Sequence, residues 1–248
     1  MIKISFIVPA FNEEKFLGKC LESIISECRN NPKTAAEIIV VNNASTDNTK
    51  NVASSFSQVR VVDEPKKGLV AARAAGAKNA NGELLAHIDA DCFLPQGWLK
   101  TVINEFTADD KLVALSGPHI YYDLSKLQRT GVRIFYYLTF LTYLVNRFIL
   151  RIASMLQGGN IVATARAWKQ IGETSSEFSF YGEDIELARR LNKVGKVKFT
   201  FKLPIFTSGR RFKEEGLFTI GWRYALNYFS VIFFKKPATK KYTDIRPG

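Results

Sequence analysis

Histidine is almost missing from this chain: His87 and His119 are the two among 248 residues. That scarcity excludes a histidine-built metal centre. Cysteine is nearly as rare. Cys20, Cys28 and Cys92 are odd in number and match no metal-ligand spacing, which fits reduced thiols in a cytosolic setting better than a disulfide framework. No uncharged run reaches the ~20 residues that a bilayer span requires, and the opening Met1 to Pro9 reads as a first strand rather than a signal peptide. Internal repeats and low-complexity tracts are lacking too. The length suits one large domain or a domain with an appendage. Hydrophobic residues make up 46% of the chain, enough for a substantial core and against disorder.

Acidic residues are scarce in one place. From Gly195 to Gly248 there are 12 Lys/Arg against three acids, so +9 of the +12 net charge lies in the C-terminal fifth. Such a patch attracts phosphate, whether of nucleic acid, anionic lipid or a phosphorylated substrate.

In chain order, Ile4 to Val8 is a continuous apolar run that ends at Pro9-Ala-Phe-Asn-Glu13. A helical pattern follows to about Cys28, with Phe16, Leu17, Leu21, Ile24 and Ile25 on one face. Glu37 to Val41 reads as a second strand and breaks at Asn42-Asn-Ala-Ser-Thr-Asp47, where Ser45 or Thr46 is expected to cap a helix. Val59 to Val62 is a third strand, and Gly68 opens an Ala-rich helix to about Asn79. This alternation predicts βαβ units: an α/β fold with a mostly parallel central sheet and helices on both faces. Further on, the pattern predicts helices over Pro95 to Phe106 and Glu183 to Asn192, with strands over Leu112 to Ser116 and Lys196 to Phe201. Gly158-Gly-Asn160 reads as a turn, either plain or shaping a cleft.

The stretch Leu84 to Asp91 stands out. It is a short apolar strand bounded by Asn81-Gly82 and Pro95-Gln-Gly97, and it delivers Asp89 and Asp91 to its carboxyl end. Ligands of open α/β sheets bind beyond the carboxyl ends of the strands. Two acids on alternate residues point to different sides, so one can meet a hard divalent cation and the other a polar ligand group. The alternative is a solvated acidic strand end. His87, inside the strand, reads as a buried and hydrogen-bonded core residue; Trp98 and Trp168 read as packing.

Five motifs in order, Pro9-Ala-Phe-Asn-Glu13, Val41 to Asp47, Gly68 to Gly76 with Arg73, Asp89-Ala-Asp91 and Gly182-Glu-Asp184, resemble those of the family 2 glycosyltransferases over roughly residues 1 to 200. The resemblance implies the nucleotide-diphospho-sugar transferase fold. It places Pro9, Ala10, Asn12, Glu13, Asn43, Arg73, Asp89 and Ala90 around a nucleotide sugar, with Asp91 on Mn²⁺ or Mg²⁺. Asp89 is expected on the ribose. Where the family commonly has an acid, this chain has Asn43, whose amide oxygen can still accept from a base N–H. Asp184 is implied as the base that deprotonates the acceptor, with Glu183 as an acceptor or sugar contact; the bland alternative for Asp184 is a carboxylate complementing a helix dipole. One base on the acceptor and one cation on the leaving group imply inversion. A histidine that some relatives supply downstream as a further metal ligand is missing. Thr207-Ser-Gly-Arg-Arg211 stands there, so Arg210 or Arg211 is expected either on a donor or acceptor phosphate or simply on a basic surface.

Two segments have the texture of membrane-interface helices. Ile134 to Asn146 carries five aromatic residues and no charge, between Arg129/Arg133 and Arg147/Arg151; Tyr224 to Phe234 lies between Arg210-Arg211 and Lys235-Lys236. Aromatic residues with basic flanks suit the headgroup layer, while the first segment equally suits a core or dimer helix. The expected layout is a catalytic domain over 1–205, with a nucleotide-binding half (1–117) and an acceptor half (118–205), and C-terminal interfacial helices over 206–248. The expected enzyme acts on a lipid-linked or glycan acceptor, peripherally on the inner face of an anionic membrane, without nucleic acid. A sugar-nucleotide nucleotidyltransferase would open with a Gly-rich basic loop that Pro9 to Glu13 does not provide. A nucleic-acid binder would line its cations along an aromatic groove rather than flank apolar runs with them.

Overall fold

The computed structural model describes residues 2–145, 155–172 and 182–239. Four strands, β1 (Lys3–Ala10), β2 (Ala35–Asn42), β3 (Val59–Asp63) and β4 (Leu84–Ile88), alternate with α1 (Leu17–Asn30), α2 (Thr49–Ser54) and α3 (Leu69–Asn79). They pair in parallel in the order β3-β2-β1-β4. Continuous apolar runs are what such strands need, because helices cover both of their faces. Phe6, Val8, Ile38 and Val40 pack with Leu17, Leu21 and Ile24 of α1, while Ile7, Ile39 and Val41 face Ala72 of α3. Helix α3 is alanine-rich because it lies close to the sheet: a Cβ at Gly76 would overlap the Ile7 side chain. Each fully buried Leu, Ile or Phe of this layer contributes about 1.5–3 kcal/mol.

The second half adds β5 (Cys92–Phe93), α4 (Trp98–Ala108), β6 (Leu112–Ser116), β7 (His119–Tyr121) and α5 (Lys126–Val145). Then come β8 (Asn160–Thr164), α6 (Ala165–Ile171), α7 (Glu183–Leu191), β9 (Lys196–Phe199), β10 (Ile205–Thr207), α8 (Arg210–Glu215) and α9 (Leu217–Phe234). The main sheet has seven strands in the order β3-β2-β1-β4-β8-β6-β9. Strand β8 runs antiparallel to both β4 and β6, and the other pairings are parallel. A small sheet, β5-β10-β7, stands beyond the carboxyl end of β4.

Gly158-Gly-Asn160 is a turn as expected, and it leads directly into a strand that was not expected, β8, with both neighbours in place; other expectations are corrected. Asn160 is fully buried and ties the sheet together: Trp98 Nε1 donates to its side-chain oxygen (3.2 Å), and its amide nitrogen donates to the carbonyls of Gly117 and Leu203 (3.1 and 2.9 Å). Ser45 and Thr46 do not cap α2, which starts only at Thr49; their hydroxyls accept from Asn12 instead. His87 is buried and stacks on Trp168 at 4.1 Å between centroids, but neither ring nitrogen has a hydrogen-bond partner. Burial and the neighbouring Arg73 hold it neutral.

Helix α5 begins eight residues before the uncharged run, at Lys126, and is two-sided. Val132, Tyr136 and Tyr143 are buried with Phe199, while Leu127, Ile134, Leu138 and Leu141 face solvent. Arg129 and Arg133 are exposed; the expected companions Arg147 and Arg151 lie outside the described residues. Helix α9 likewise buries Ile220 and Val231 and exposes Phe218, Trp222, Leu226 and Phe229. Among the described residues no helix is long and apolar enough to cross a membrane.

Candidate active site

Beyond Ile88 the chain leaves the sheet, and the two acids of Asp89-Ala-Asp91 diverge as their alternation requires. Asp89 meets Arg73 of α3: Nη2 lies 3.2 Å from its Oδ1. The other arm of Arg73 donates to Glu183 Oε2 at 2.7 Å. Arg73 is only 2% exposed, so the expected direct contact with base or phosphate is replaced by a buried bridge between two carboxylates. Against the cost of burial, Glu183 and Asp89 hold the guanidinium firmly protonated. Its Nε has no partner. Gly159 closes over this bridge with φ +76°, and a Cβ there would run into the Asp89 carboxylate. Gly159 belongs to the turn read as either plain or shaping a cleft, and the contact with Asp89 favours the second.

Asp91 turns the other way, toward α8. Arg210 Nη2 is 3.2 Å from Asp91 Oδ2, and the same guanidinium grips Glu13 with both terminal nitrogens, Nη1 to Oε2 at 3.0 Å. Phe16 lies under the guanidinium, 4.9 Å from its ring centroid. Burial raises the Asp91 carboxyl above the usual range while Arg210 pulls it back. Arg210 is delivered here by β10, whose Thr207 leads through Ser208 and Gly209 into α8; Asp123 accepts from Ser208 Oγ at 3.0 Å and fixes that turn. Arg211 points elsewhere and pairs with Glu215 at 2.6 Å, so of the two candidate arginines Arg210 alone reaches the carboxylates.

The residues expected around the nucleoside lie at or just beyond strand ends. Pro9, Ala10 and Ala90 are buried. Asn12, with φ +51°, exchanges hydrogen bonds with Thr46: Thr46 N donates to Oδ1 (2.9 Å) and Nδ2 donates to Thr46 Oγ1 (3.2 Å). Asn43 donates to the carbonyls of Glu64 and Lys66 (3.0 and 2.8 Å), and its oxygen accepts from Gly68 N at 2.8 Å. The carbonyl keeps a second lone pair. Both asparagines thus fix the loops beyond β1 and β2, where an acid could not donate as Asn43 does.

Asp184 sits at the start of α7, which Gly182 enters with φ +79°. Its carboxylate accepts from Ile185 N at 3.0 Å. Burial pushes its carboxyl above the usual range, and nearby Arg73 only partly offsets this; among the described residues no cation stands within ion-pair distance of it. Glu183 is raised by burial as well, opposed by Arg73. His119 is held neutral, its pKa lowered to about 4 by burial, so neither histidine supplies a charge here.

As for a metal, no three His, Cys, Asp or Glu side chains form a cage among the described residues. The donor set is nevertheless the right kind: hard carboxylate oxygens at a partly open edge. Mg²⁺ and similar ions are commonly held by one or two carboxylates plus substrate phosphates. Asp91 fits that role.

Comparison with known proteins bears on the family and the fold. The model of the family "Glycosyl transferase family 2" matches residues 5–172. The glycosyltransferase AglE of Haloferax volcanii is 35% identical over 106 residues, 41% of this chain and 34% of AglE. A dolichyl-phosphate beta-glucosyltransferase of Trichomonas vaginalis is 35% identical over 146 residues, 53% of this chain and 44% of the relative. The chain therefore matches less than half the length of either. Among solved structures, the mannosyltransferase PcManGT of Pyrobaculum calidifontis, in complex with GDP-Man and Mn²⁺, superposes with TM-score 0.65 at 18% identity, covering 94% of this chain and 63% of that one. Glucosyl-3-phosphoglycerate synthase of Mycobacterium tuberculosis, with Mn²⁺, UDP and phosphoglyceric acid, gives 0.61 at 17% identity, covering 94% and 78%. These two share the fold. With the family model spanning most of the main sheet and the Asp89-Ala-Asp91 motif, the chain belongs to glycosyl transferase family 2.

Proposed function

We propose that the protein is a metal-dependent, inverting glycosyltransferase that moves a sugar from a UDP- or GDP-sugar to a hydroxyl or phosphate of a lipid-linked or glycan acceptor. The observation that carries this reading is the meeting of Asp89, Asp91, Glu183 and Asp184 at one sheet edge, with Asp184 alone of the four lacking an arginine partner among the described residues.

Each residue has a part that follows from its surroundings. Asp184 is a carboxylate whose proton affinity is raised by burial, which suits a group that takes a proton from an acceptor hydroxyl as the new bond forms. Asp89 is steered by Arg73 and Gly159 and offers its free oxygen to the donor ribose. Asn12, Asn43 and the buried strand ends hold the base pocket open. Asp91, together with donor diphosphate oxygens, would hold Mn²⁺ or Mg²⁺, which when bound stabilises charge on the departing nucleoside diphosphate. A single base on the acceptor side, opposite the leaving group, supports direct displacement and so inversion at the anomeric carbon.

The acceptor is proposed to be presented at a membrane. Phe218, Trp222, Leu226 and Phe229 recur at helical spacing on the outer face of α9, and α9 packs against both α7 and α8, which carry Asp184 and Arg210. Leu127, Ile134, Leu138 and Leu141 form a similar stripe on α5. Such faces beside the basic C-terminal segment suit peripheral attachment to anionic lipid on the cytoplasmic side. Unfolding of the purified chain with UDP- and GDP-sugars, with and without Mn²⁺, tests the donor half. A metal-dependent rise in midpoint with one nucleotide, lost in Asp91→Ala, is the expected result; no rise with either nucleotide refutes it.

A further inference from the structure

Arg210 is placed where a cation belongs. It touches Asp91, the proposed metal ligand, at 3.2 Å and closes on Glu13 with two hydrogen bonds. Glu13 is nearly buried, and its backbone N–H is anchored on Thr49 Oγ1 at 2.8 Å. Five carboxylates (Glu13, Asp89, Asp91, Glu183 and Asp184) crowd this edge, and two guanidiniums serve four of them. We infer that Arg210 is a resident counter-ion: it occupies Asp91 while the site is empty and releases it only when a donor diphosphate offers its guanidinium another partner. The divalent cation and the donor then enter as a pair. This rests on the reading of Asp91 given above.

The electrostatics require such an exchange. A dication brought to Asp91 with Arg210 in place would face a positive charge a few ångströms away, in surroundings partly screened from water. Expelling Arg210 without a replacement would take both of its hydrogen bonds from Glu13, a nearly buried carboxylate, which is costly. A diphosphate resolves both problems, since its oxygens match the two-pronged guanidinium as well as a carboxylate does. Release needs the side chain alone to move, since Asp123 holds the turn before α8 by accepting from Ser208 Oγ and Gly209 N. Arg210 is also far less enclosed than Arg73, with 21% of its side chain exposed against 2%.

The test is a Mn²⁺ titration of the full chain without nucleotide, read from the free-ion electron paramagnetic resonance signal, so that no turnover is involved. Arg210→Met, which keeps the side-chain volume over Phe16, is expected to bind Mn²⁺ alone about tenfold more tightly than the wild type. Arg210→Lys should lie between them. Adding UDP or GDP should tighten Mn²⁺ binding strongly in the wild type and much less in Arg210→Met. Asp91→Ala combined with Arg210→Met should lose the gain, which ties it to this carboxylate rather than to a general change in charge. Equal or weaker Mn²⁺ binding by a folded Arg210→Met overturns the inference. If nucleotide still raises the unfolding midpoint in that case, the donor-site reading stands without it. If neither protein responds to nucleotide or to Mn²⁺, both readings fall together.

Discussion

Two arginines bridge carboxylates at the same sheet edge, one from inside the fold and one from its rim. Arg73 projects from α3, between helix and sheet, and joins Asp89 to Glu183 with 2% of its surface exposed. Arg210 projects from α8 and joins Asp91 to Glu13, with 21% of its side chain exposed and a glycine at either end of its helix. The chemistry of the two bridges is the same. Their enclosure differs, and enclosure decides what each can do. A guanidinium sealed against the buried Glu183 cannot leave without stranding charge, so Arg73 positions its partners. A guanidinium at a partly open edge can change partners.

The strongest way to break this contrast is to remove Arg73. Arg73→Met leaves Asp89 and Glu183 unpaired, a loss of about 3–5 kcal/mol for a buried pair. For a chain of this size that corresponds to a fall of about 10 °C in unfolding midpoint. Arg210→Met, measured in the same buffer, should fall by less than half as much. Equal losses would mean that burial does not separate the two bridges. Arg73→Met with Glu183→Gln should recover part of the stability, because the stranded charge is gone.

How much of this was legible in the residues follows from sequence distance. The alternating half was readable because its strands are buried on both faces, so Ile4 to Val8 and Glu37 to Val41 show as unbroken apolar runs bounded by turn residues. The Asp89 and Asp91 divergence also follows from strand alternation. The Arg73 bridge was not readable, since its partner Glu183 lies 110 positions away and nothing local marks a helix arginine as buried. Strand β8 was hidden because five residues after a Gly-Gly turn give too short a period to assign, and its antiparallel direction depends on β4 and β6 being in place first. The strands of the small sheet are two or three residues long, held by pairing rather than by propensity. The bonds of Asn43 to the 64–68 loop were not readable, since they depend on how that loop returns to β2.

Asp184 sharpens the comparison from the other side, as the carboxylate with no arginine partner among the described residues. An acid whose pKa is raised on folding binds its proton more tightly in the folded chain. Its contribution favours folding below the unfolded value and is lost as pH rises through the folded one. At pH 7 the ionised Asp184 therefore costs stability. Asp184→Asn should lower kcat by about 10²–10⁴-fold, as expected for loss of a general base, while the unfolding midpoint at pH 7 stays level or rises. In the wild type the acid limb of kcat/KM should lie above the usual carboxylate range. A variant that loses stability but keeps its rate would remove Asp184 from the proposed role.

A smaller effect is expected where Asp89 is held from above. Gly159→Ala forces a residue with φ near +76° into a conformation costing about 1–2 kcal/mol and presses its methyl on the Asp89 carboxylate. Donor affinity should fall several-fold with Mn²⁺ binding in the absence of nucleotide unchanged, since Asp91 points away. Isothermal titration with the nucleotide separates the two. A parallel loss of metal binding would show that the two acids act as one unit.

The least effect on folding, and a large one on location, is expected at the outer face of α9. Phe218 and Trp222 are 92% and 70% exposed, so Phe218→Ser with Trp222→Ser should change stability by no more than about 0.5 kcal/mol, as surface substitutions generally do. Proposed as membrane contacts, the same two rings should dominate attachment, because inserting each removes a large apolar surface from water. Co-sedimentation with vesicles containing anionic lipid should drop about tenfold in the double variant. Raising salt should weaken the remaining binding, which would then rest on exposed cations such as Lys235 and Lys236. Donor binding in solution should be untouched, since neither ring touches the carboxylates. A wild-type chain that ignores anionic vesicles would instead mean that the stripe on α9 meets something other than lipid, and the rim would lose its proposed link between membrane and Arg210.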